Sequence, residues 1–138
     1  DPSRWLEWLV VEAVTVWNSV RALMEMLVEH ASARPGALVG GLRRVLLSGD
    51  WIPVSLPERI RSLYPGSEVI SLGGATEASI WSIAHPIGEV DAGWVSIPYG
   101  RPLSNQRIYV LDEHLEPVAV IVSASTPVVA AAGCRCAR

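Results

Sequence analysis

Helical and extended apolar patterns alternate along the first half of the chain, and this alternation restricts its possible folds more than any other feature. Apolar residues at positions 20, 23, 24, 27 and 28 have the spacing of one face of an amphipathic helix. Short apolar runs at residues 14–17 and 44–48 flank this helix and predict buried strands. Strands that alternate with helices predict an α/β fold with a mainly parallel sheet flanked by helices.

Further elements extend the same pattern. Residues 3–13 predict a helix, and Ser55 with Glu58 forms the sequence of a capping box that starts another, with Pro57 in its first turn. Two more strands are predicted, at residues 68–72 and 108–111.

The predicted strands are followed by polar and glycine-rich segments. Ligands gather at the carboxyl ends of strands in open α/β sheets, so we expect Asn18, residues 48–50 and residues 73–77 to meet there. In the last segment the glycines allow a ligand close to the backbone, and Thr76 and Glu77 could bind a phosphate and Mg²⁺. The same residues are also typical of an ordinary turn before a capped segment.

Charge and composition exclude several classes of function. The net charge is −3 and no basic stripe is present, which argues against nucleic-acid binding. No stretch reaches the roughly 18 uninterrupted apolar residues of a membrane span. Cys134 and Cys136 are too close for an unstrained disulfide and too few for a zinc site. We therefore expect reduced thiols in a cytoplasmic protein that binds neither nucleic acid nor membrane.

Residues 73–81, Gly-Gly-Ala-Thr-Glu-Ala-Ser-Ile-Trp, resemble the fifth core motif of adenylation domains in nonribosomal peptide synthetases, which belong to the adenylate-forming superfamily. That motif usually reads aromatic-Gly-Pro-Thr-Glu, so Gly73 and Ala75 replace its aromatic residue and its proline. The resemblance is continuous over residues 1–117 and implies part of the large N-terminal domain of an adenylate-forming enzyme. The other matching segments are residues 14–20, 45–50, 97–105 and 108–112.

The resemblance implies roles for two loops. Thr76 would contact the α-phosphate of ATP, and Glu77 would hold Mg²⁺. The reaction would be attack of a carboxylate on the α-phosphate, which gives an acyl-adenylate and pyrophosphate. The adenine would lie along four residues, Gly49, Asp50, Gly73 and Gly74.

Six positions resemble the substrate code of adenylation domains that activate L-cysteine in heterocycle-forming, siderophore-type synthetases. Four of the six are apolar and two are polar, which suits a thiol that behaves as a small hydrophobe with a weak donor. Serine is the nearest competitor. Burying its hydroxyl without a partner would cost about 1–3 kcal/mol, which favours cysteine. The positions are Asn18, Leu46, Ser48, Leu72, Ile80 and Trp81.

The family also implies partners. An activated cysteine would be loaded onto the phosphopantetheine of a peptidyl carrier protein and passed to a heterocyclisation domain. The phosphate loop, the aspartate for the substrate ammonium and the catalytic lysine of the family have no counterpart in residues 1–138. We therefore expect this chain alone to be inactive.

The last part of the chain differs from the rest. Residues 118–138 show no amphipathic period and no match to the family, which would continue with a Gly-Glu-Leu motif. We interpret them as a non-family tail, either frameshifted or disordered. Another departure is Arg21, at a position where the family usually has proline.

Two other functions stay open. The chain could be a non-catalytic remnant, or a small protein that binds a partner through exposed apolar surface. It could also come from another adenylate-forming acyl ligase, although the bulk of Trp81 leaves little room for a long acyl chain.

Overall fold

The computed structural model describes residues 1–34, 36, 39–76, 80–112, 114, 116–117 and 129–133. Its three helices are α1 (Pro2–Val11), α2 (Arg21–Ser32) and α3 (Leu56–Leu63). Its seven strands are β1 (Val16–Val20), β2 (Arg44–Ser48), β3 (Glu68–Gly73), β4 (Ile83–Ile87), β5 (Arg101–Pro102), β6 (Arg107–Leu111) and β7 (Val129–Gly133). None of the helices in this part of the chain has the length and apolar character needed to cross a membrane.

The first helix and the first strand are separated by a tight turn. The Asp1 carboxylate caps α1 by accepting hydrogen bonds from the Ser3 backbone N–H (2.9 Å) and the Ser3 hydroxyl (2.6 Å). The Val14 N–H still donates to the Leu9 carbonyl (3.2 Å), and Ala13 has a positive φ of 49°. Strand β1 therefore begins at residue 16, two residues later than the apolar run predicts.

The start of α3 corrects the predicted capping box. Ser55 has φ −80° and ψ −21°, and its side chain makes no capping hydrogen bond. A capping residue normally has extended backbone angles, which aim its side chain at the first free N–H groups. Pro57 does lie in the first turn, as predicted, and Glu58 is the acidic residue there.

Five strands form a mixed sheet in the order β1-β2-β3-β4-β5. The first three strands are parallel, as the alternation with helices predicts, and the α/β class is confirmed. Strands β4 and β5 add an antiparallel edge. The sequence gives little sign of this edge, because Pro86 lies within β4 and β5 has only two residues.

All three helices contribute to a core on one face of this sheet. The strand residues Val45, Leu47 and Val69 point to that face and are fully buried. Residues of alternate parity point to the other face, which no helix among the described residues covers. The helix residues that share the core are Leu6, Leu9, Met24, Leu27, Val28, Ala31, Leu56 and Ile60.

Strands β6 and β7 form a separate antiparallel hairpin-like pair, in which Tyr109 lies opposite Ala131. The sequence predicts β6 but not β7, which falls within the proposed tail. Residues 118–128 and 134–138, with both cysteines, lie outside the described residues. The division at residue 117 therefore stays a prediction.

Candidate active site

A cavity of about 380 Å³ opens at the carboxyl ends of β2 and β3. Parallel strands bring their following loops to the same edge, which is why two segments distant in sequence meet here. Nine of the residues predicted for the site line this cavity: Ser48, Gly49, Asp50, Leu72, Gly73, Gly74, Thr76, Ile80 and Trp81.

Three predicted residues are not among the cavity lining. Glu77 lies outside the described residues. Asn18 and Leu46 are paired in register on β1 and β2, and they face the open side of the sheet. Leu46 is in turn opposite Ile70, so Leu72, two residues further along β3, projects to the same side as Asn18 and Leu46. Ser48 and Leu72 line the cavity and lie on the same open face, so Asn18 and Leu46 lie next to the edge of the cavity.

The loop after β2 is fixed by a glycine, by one backbone hydrogen bond and by one ion pair. Gly49 has φ +96°, and a Cβ there would lie 2.9 Å from Val20 Cγ1, so only glycine fits. Asp50 Oδ1 accepts a hydrogen bond from the Trp51 N–H (2.7 Å), and Asp50 Oδ2 lies 3.4 Å from Arg21 Nη2. The Trp51 N–H and then Arg21 lower the pKa of the exposed Asp50 carboxyl below its usual value. Asp50 is therefore an anion at neutral pH.

Arg21 connects this loop to helix α2. Its Nη1 lies 2.8 Å from Glu25 Oε2, and its Nε is buried without a hydrogen-bond partner among the described residues. A cation at the first residue of a helix opposes the helix dipole. The carboxylates of Glu25 and Asp50 offset that cost. The i,i+4 pair is visible in the sequence, whereas the contact with Asp50 depends on the fold.

The glycine-rich segment after β3 folds back on itself. A Cβ at Gly74 would lie 2.4 Å from the Ile80 carbonyl oxygen, so the chain can approach itself closely only at a glycine. The Ser82 N–H donates to the Gly73 carbonyl (2.8 Å), and the Ile80 N–H donates to the Ala75 carbonyl (3.0 Å). Ile80 has φ +70°, which is strained for a β-branched residue. This loop presents Ile80 and Thr76 at the cavity.

Four lining residues were missed by the sequence analysis, Trp51, Ser71, Ile97 and Tyr99, whereas Ala75 lies within the predicted segment 73–77. Trp51 directly follows the predicted adenine-side pair and could have been found from that position. Ile97 and Tyr99 lie in a segment that matches the family motif pattern, but nothing in the sequence indicates that they fold back onto β3. Their approach is set by a hydrogen bond from the Ile97 N–H to the Ile52 carbonyl (3.0 Å).

The cavity lining combines polar oxygen atoms with apolar side chains. Asp50 supplies a carboxylate and Thr76 and Ser48 supply hydroxyls, while Leu72, Ile80 and Trp81 supply apolar surface. Among the residues that the structure describes, which exclude Glu77, no three His, Cys, Asp or Glu side chains cluster as metal ligands would. The arrangement suits a small ligand with both charged and apolar parts.

Residues 1–124 match the family of AMP-binding enzymes. Bacitracin synthase 1 of Bacillus licheniformis is 54% identical over 112 residues, which are 79% of this chain and 2% of that protein. Pyochelin synthetase PchF of Pseudomonas aeruginosa is 52% identical over 112 residues, 81% of this chain and 6% of that protein. This chain thus spans only a few per cent of the length of these relatives.

A solved structure agrees with the sequence comparisons. The nonribosomal peptide synthetase FmoA3 superimposes with a TM-score of 0.81 and 48% identity, over 85% of this chain and 13% of that chain. FmoA3 has been solved with AMPPNP and with α-methyl-L-serine-AMP. The predicted fold, part of the N-terminal domain of an adenylate-forming enzyme, is confirmed by this similarity.

Proposed function

This chain belongs to the family of AMP-binding enzymes, and on that premise we propose that it is part of an adenylation domain that activates L-cysteine with ATP. The products are cysteinyl-AMP and pyrophosphate. The observation that carries the proposal is the cavity at the ends of β2 and β3. It brings together residues that we propose to contact the adenine, the phosphate and the substrate, and these are up to 33 positions apart in the chain, from Ser48 to Trp81.

The proposed reaction forms a bond between a carboxylate oxygen of cysteine and the α-phosphorus of ATP. The bond from that phosphorus to the bridging oxygen of pyrophosphate breaks, and pyrophosphate leaves with its electron pair. The Thr76 hydroxyl donates a hydrogen bond to an α-phosphate oxygen and stabilises the negative charge there. Positioning and charge neutralisation dominate phosphoryl transfer of this kind.

Magnesium fits the donor chemistry of the lining. Mg²⁺ prefers oxygen ligands and keeps several waters, and Thr76 supplies a hydroxyl at the cavity. Glu77, the next residue, is the carboxylate that we propose as its ligand. When bound, the ion neutralises phosphate charge.

The substrate proposal depends on the apolar walls of the cavity. Leu72, Ile80 and Trp81 make a surface that accepts a thiol, and the Ser48 hydroxyl can form one hydrogen bond with it. Asn18 and Leu46 would complete the pocket from the open sheet face. A second candidate is a serine-type substrate, because FmoA3, at 48% identity, holds α-methyl-L-serine-AMP.

The partners follow from this activity. We propose that the cysteinyl group passes to the phosphopantetheine thiol of a peptidyl carrier protein, and then to a heterocyclisation domain of a siderophore-type synthetase. The setting would be the cytoplasm. Support for a setting in a nonribosomal peptide synthetase is the similarity to FmoA3, which is such a synthetase.

The test uses a hybrid domain, in which residues 1–117 of this chain replace the matched segment of pyochelin synthetase PchF. Amino-acid-dependent exchange of pyrophosphate into ATP is measured with cysteine, serine, α-methylserine and alanine. We expect cysteine to exceed serine by about tenfold or more, because polar burial and size each contribute about 1–3 kcal/mol. Equal or faster exchange with serine would overturn the substrate assignment. No exchange, with an active unmodified host, would overturn the function.

A further inference from the structure

The ring of Tyr99 occupies the space above Gly73 in the cavity. A Cβ placed on Gly73 would lie 3.2 Å from Tyr99 Cδ1 and 3.8 Å from Tyr99 Cε1. Gly73 does not have a left-handed backbone, so a side chain there would be excluded by the tyrosine ring rather than by its own conformation. The aromatic ring thus stands where a side chain of residue 73 would otherwise be.

The backbone on both sides of Tyr99 is anchored. Ile97 is buried and its N–H is bonded to the Ile52 carbonyl. Gly100 has φ +102°, and a Cβ there would lie 2.2 Å from the Ala84 carbonyl oxygen, so this residue must be glycine for the segment to approach β4. Arg101 then pairs with Ala84. The backbone that carries the Tyr99 ring is therefore held in place by the fold.

An anchored backbone with an exposed ring is unusual for a residue whose role is core packing. The Tyr99 side chain is 60% exposed, yet it lines the cavity beside Gly73, Gly74 and Thr76. Large aromatic surface left open in a cavity marks a place where a flat apolar ligand binds. A nucleotide base presents such a face, and aromatic side chains stack on bases of any kind.

We propose that the Tyr99 ring is the stacking surface for the adenine of ATP. This inference rests on the proposed adenylation function, and it assigns the base-binding surface to a residue 22 positions downstream of Glu77. Gly73 leaves room for the ring, and Thr76, three residues later, faces the phosphates. Trp51 also lines the cavity and is the alternative aromatic surface.

The decisive variants are tested in the hybrid domain by measuring KM for ATP and KM for cysteine separately. Tyr99→Ala should raise KM for ATP about 5- to 150-fold and leave KM for cysteine within about twofold, because stacking acts on the base alone. Tyr99→Phe keeps the ring and should restore most of the affinity. The double variant Gly73→Tyr with Tyr99→Ala should also recover ATP affinity, because a ring from residue 73 can enter the vacated space.

Two controls separate stacking from a structural role. Tyr109→Ala removes an exposed tyrosine of β6, outside the cavity lining, and should change neither KM. Trp51→Ala should have a smaller effect on KM for ATP than Tyr99→Ala. The inference is overturned by an unchanged KM for ATP in Tyr99→Ala, by equal rises in both KM values, or by a loss confined to Trp51→Ala.

Binding of AMP to the 138-residue chain, followed by saturation-transfer NMR, separates this inference from the proposed function. Stacking is supported if saturation transfer to the adenine protons of AMP is lost in Tyr99→Ala and kept in Tyr99→Phe. This result supports stacking even where the hybrid domain shows no exchange. If the hybrid domain shows exchange but Tyr99→Ala leaves KM for ATP unchanged, the stacking inference is overturned and the proposed function stands. If the hybrid domain shows no exchange and the 138-residue chain binds no AMP, both the inference and the proposed function are overturned.

Discussion

The Tyr64 hydroxyl is buried with no hydrogen-bond partner among the described residues. Burial raises the pKa of Tyr64 to about 12. The unfolded chain ionises this phenol near pH 10, so it releases its proton before the folded chain does. The contribution of Tyr64 to stability is therefore complete below pH 10 and is lost as pH rises from about 10 to 12.

Tyr64→Phe keeps the ring and removes the unpaired hydroxyl. We expect the free energy of unfolding at pH 7 to stay constant or rise by about 1 kcal/mol, because a buried unpaired polar group is costly. The loss of stability between pH 10 and 12 should become shallower. Urea unfolding at pH 7 and between pH 10 and 12 measures both effects on the free energy of unfolding. Tyr109→Phe, at an exposed tyrosine, is the control. A loss of stability at pH 7 would mean that the hydroxyl is bonded after all.

Thr76 lines the cavity and is the residue that we propose to contact the α-phosphate. Thr76→Val removes its hydroxyl with almost no change of shape, and we expect kcat for ATP–pyrophosphate exchange in the hybrid domain to fall about 10²-fold. Thr15→Val makes the same chemical change at an exposed residue before β1 and should leave kcat unchanged. Equal rates for Thr76→Val and the parent would remove Thr76 from the proposed mechanism.

Positions at the cavity were predictable from sequence only where a motif marks them. The Gly73–Thr76 segment and Ser48–Asp50 were both placed at one edge in advance, because parallel strands end there. The Arg21–Asp50 contact was not, since the two residues are 29 positions apart and meet only through the β1–β2 register. Tyr99 was missed for the same reason.

The predicted apolar face of helix α2 is confirmed in part: Met24, Leu27 and Val28 are buried, whereas Leu23 is 37% exposed and Val20 belongs to β1. Met24 is fully buried, whereas Met26, two residues later, is 46% exposed. The predicted apolar face includes Met24 and not Met26, in agreement with these exposures. The helical period separates them, because residues two apart point to different sides of a helix.

This pair makes a matched test of the core. Met24→Ala should lower the free energy of unfolding by about 2–5 kcal/mol, the cost of a cavity in a packed core. Met26→Ala removes the same atoms from an exposed face and should change it by less than about 0.5 kcal/mol. Urea unfolding of both variants measures the difference. Similar losses would mean that α2 is rotated relative to the described core.

Elements without a strong period were harder to predict. Strands β2 and β3 are the exception, because each has an apolar centre between helices, and both were predicted almost to the residue. Strand β4 was missed because proline normally breaks a strand, and here Pro86 is tolerated in the antiparallel edge. The capping box at Ser55 was wrong because backbone angles, which a sequence pattern does not give, decide whether the side chain can cap.

At the scale of the whole molecule, the three helices of the described residues lie on one face of the five-stranded sheet. Crossovers between parallel strands are right-handed, so an order that proceeds from β1 to β2 to β3 puts α2 and α3 on the same side. The sequence predicted helices around the sheet but not the strand order. The opposite face carries Asn18, Leu46 and Leu72 of the proposed pocket, together with Val16 (51% exposed) and Val20 (45%).

An open apolar sheet face predicts self-association of the isolated chain. Static light scattering should show an apparent mass that rises with concentration. Val16→Thr with Val20→Thr keeps β-branched residues on β1 and should lower that rise, whereas Val11→Thr on exposed α1 surface should not. A monomeric mass at every concentration would show that this face does not drive self-association in solution.

The central claim is that the cavity at the ends of β2 and β3 binds a cysteinyl adenylate. The most direct test is a crystal structure of the hybrid domain with a non-hydrolysable cysteinyl-AMP analogue. We predict the adenine on the Tyr99 ring beside Gly73 and Gly74, the phosphate mimic next to Thr76, and the thiol among Leu46, Leu72 and Trp81. An analogue bound elsewhere, or a thiol that points away from these three residues, would contradict the account.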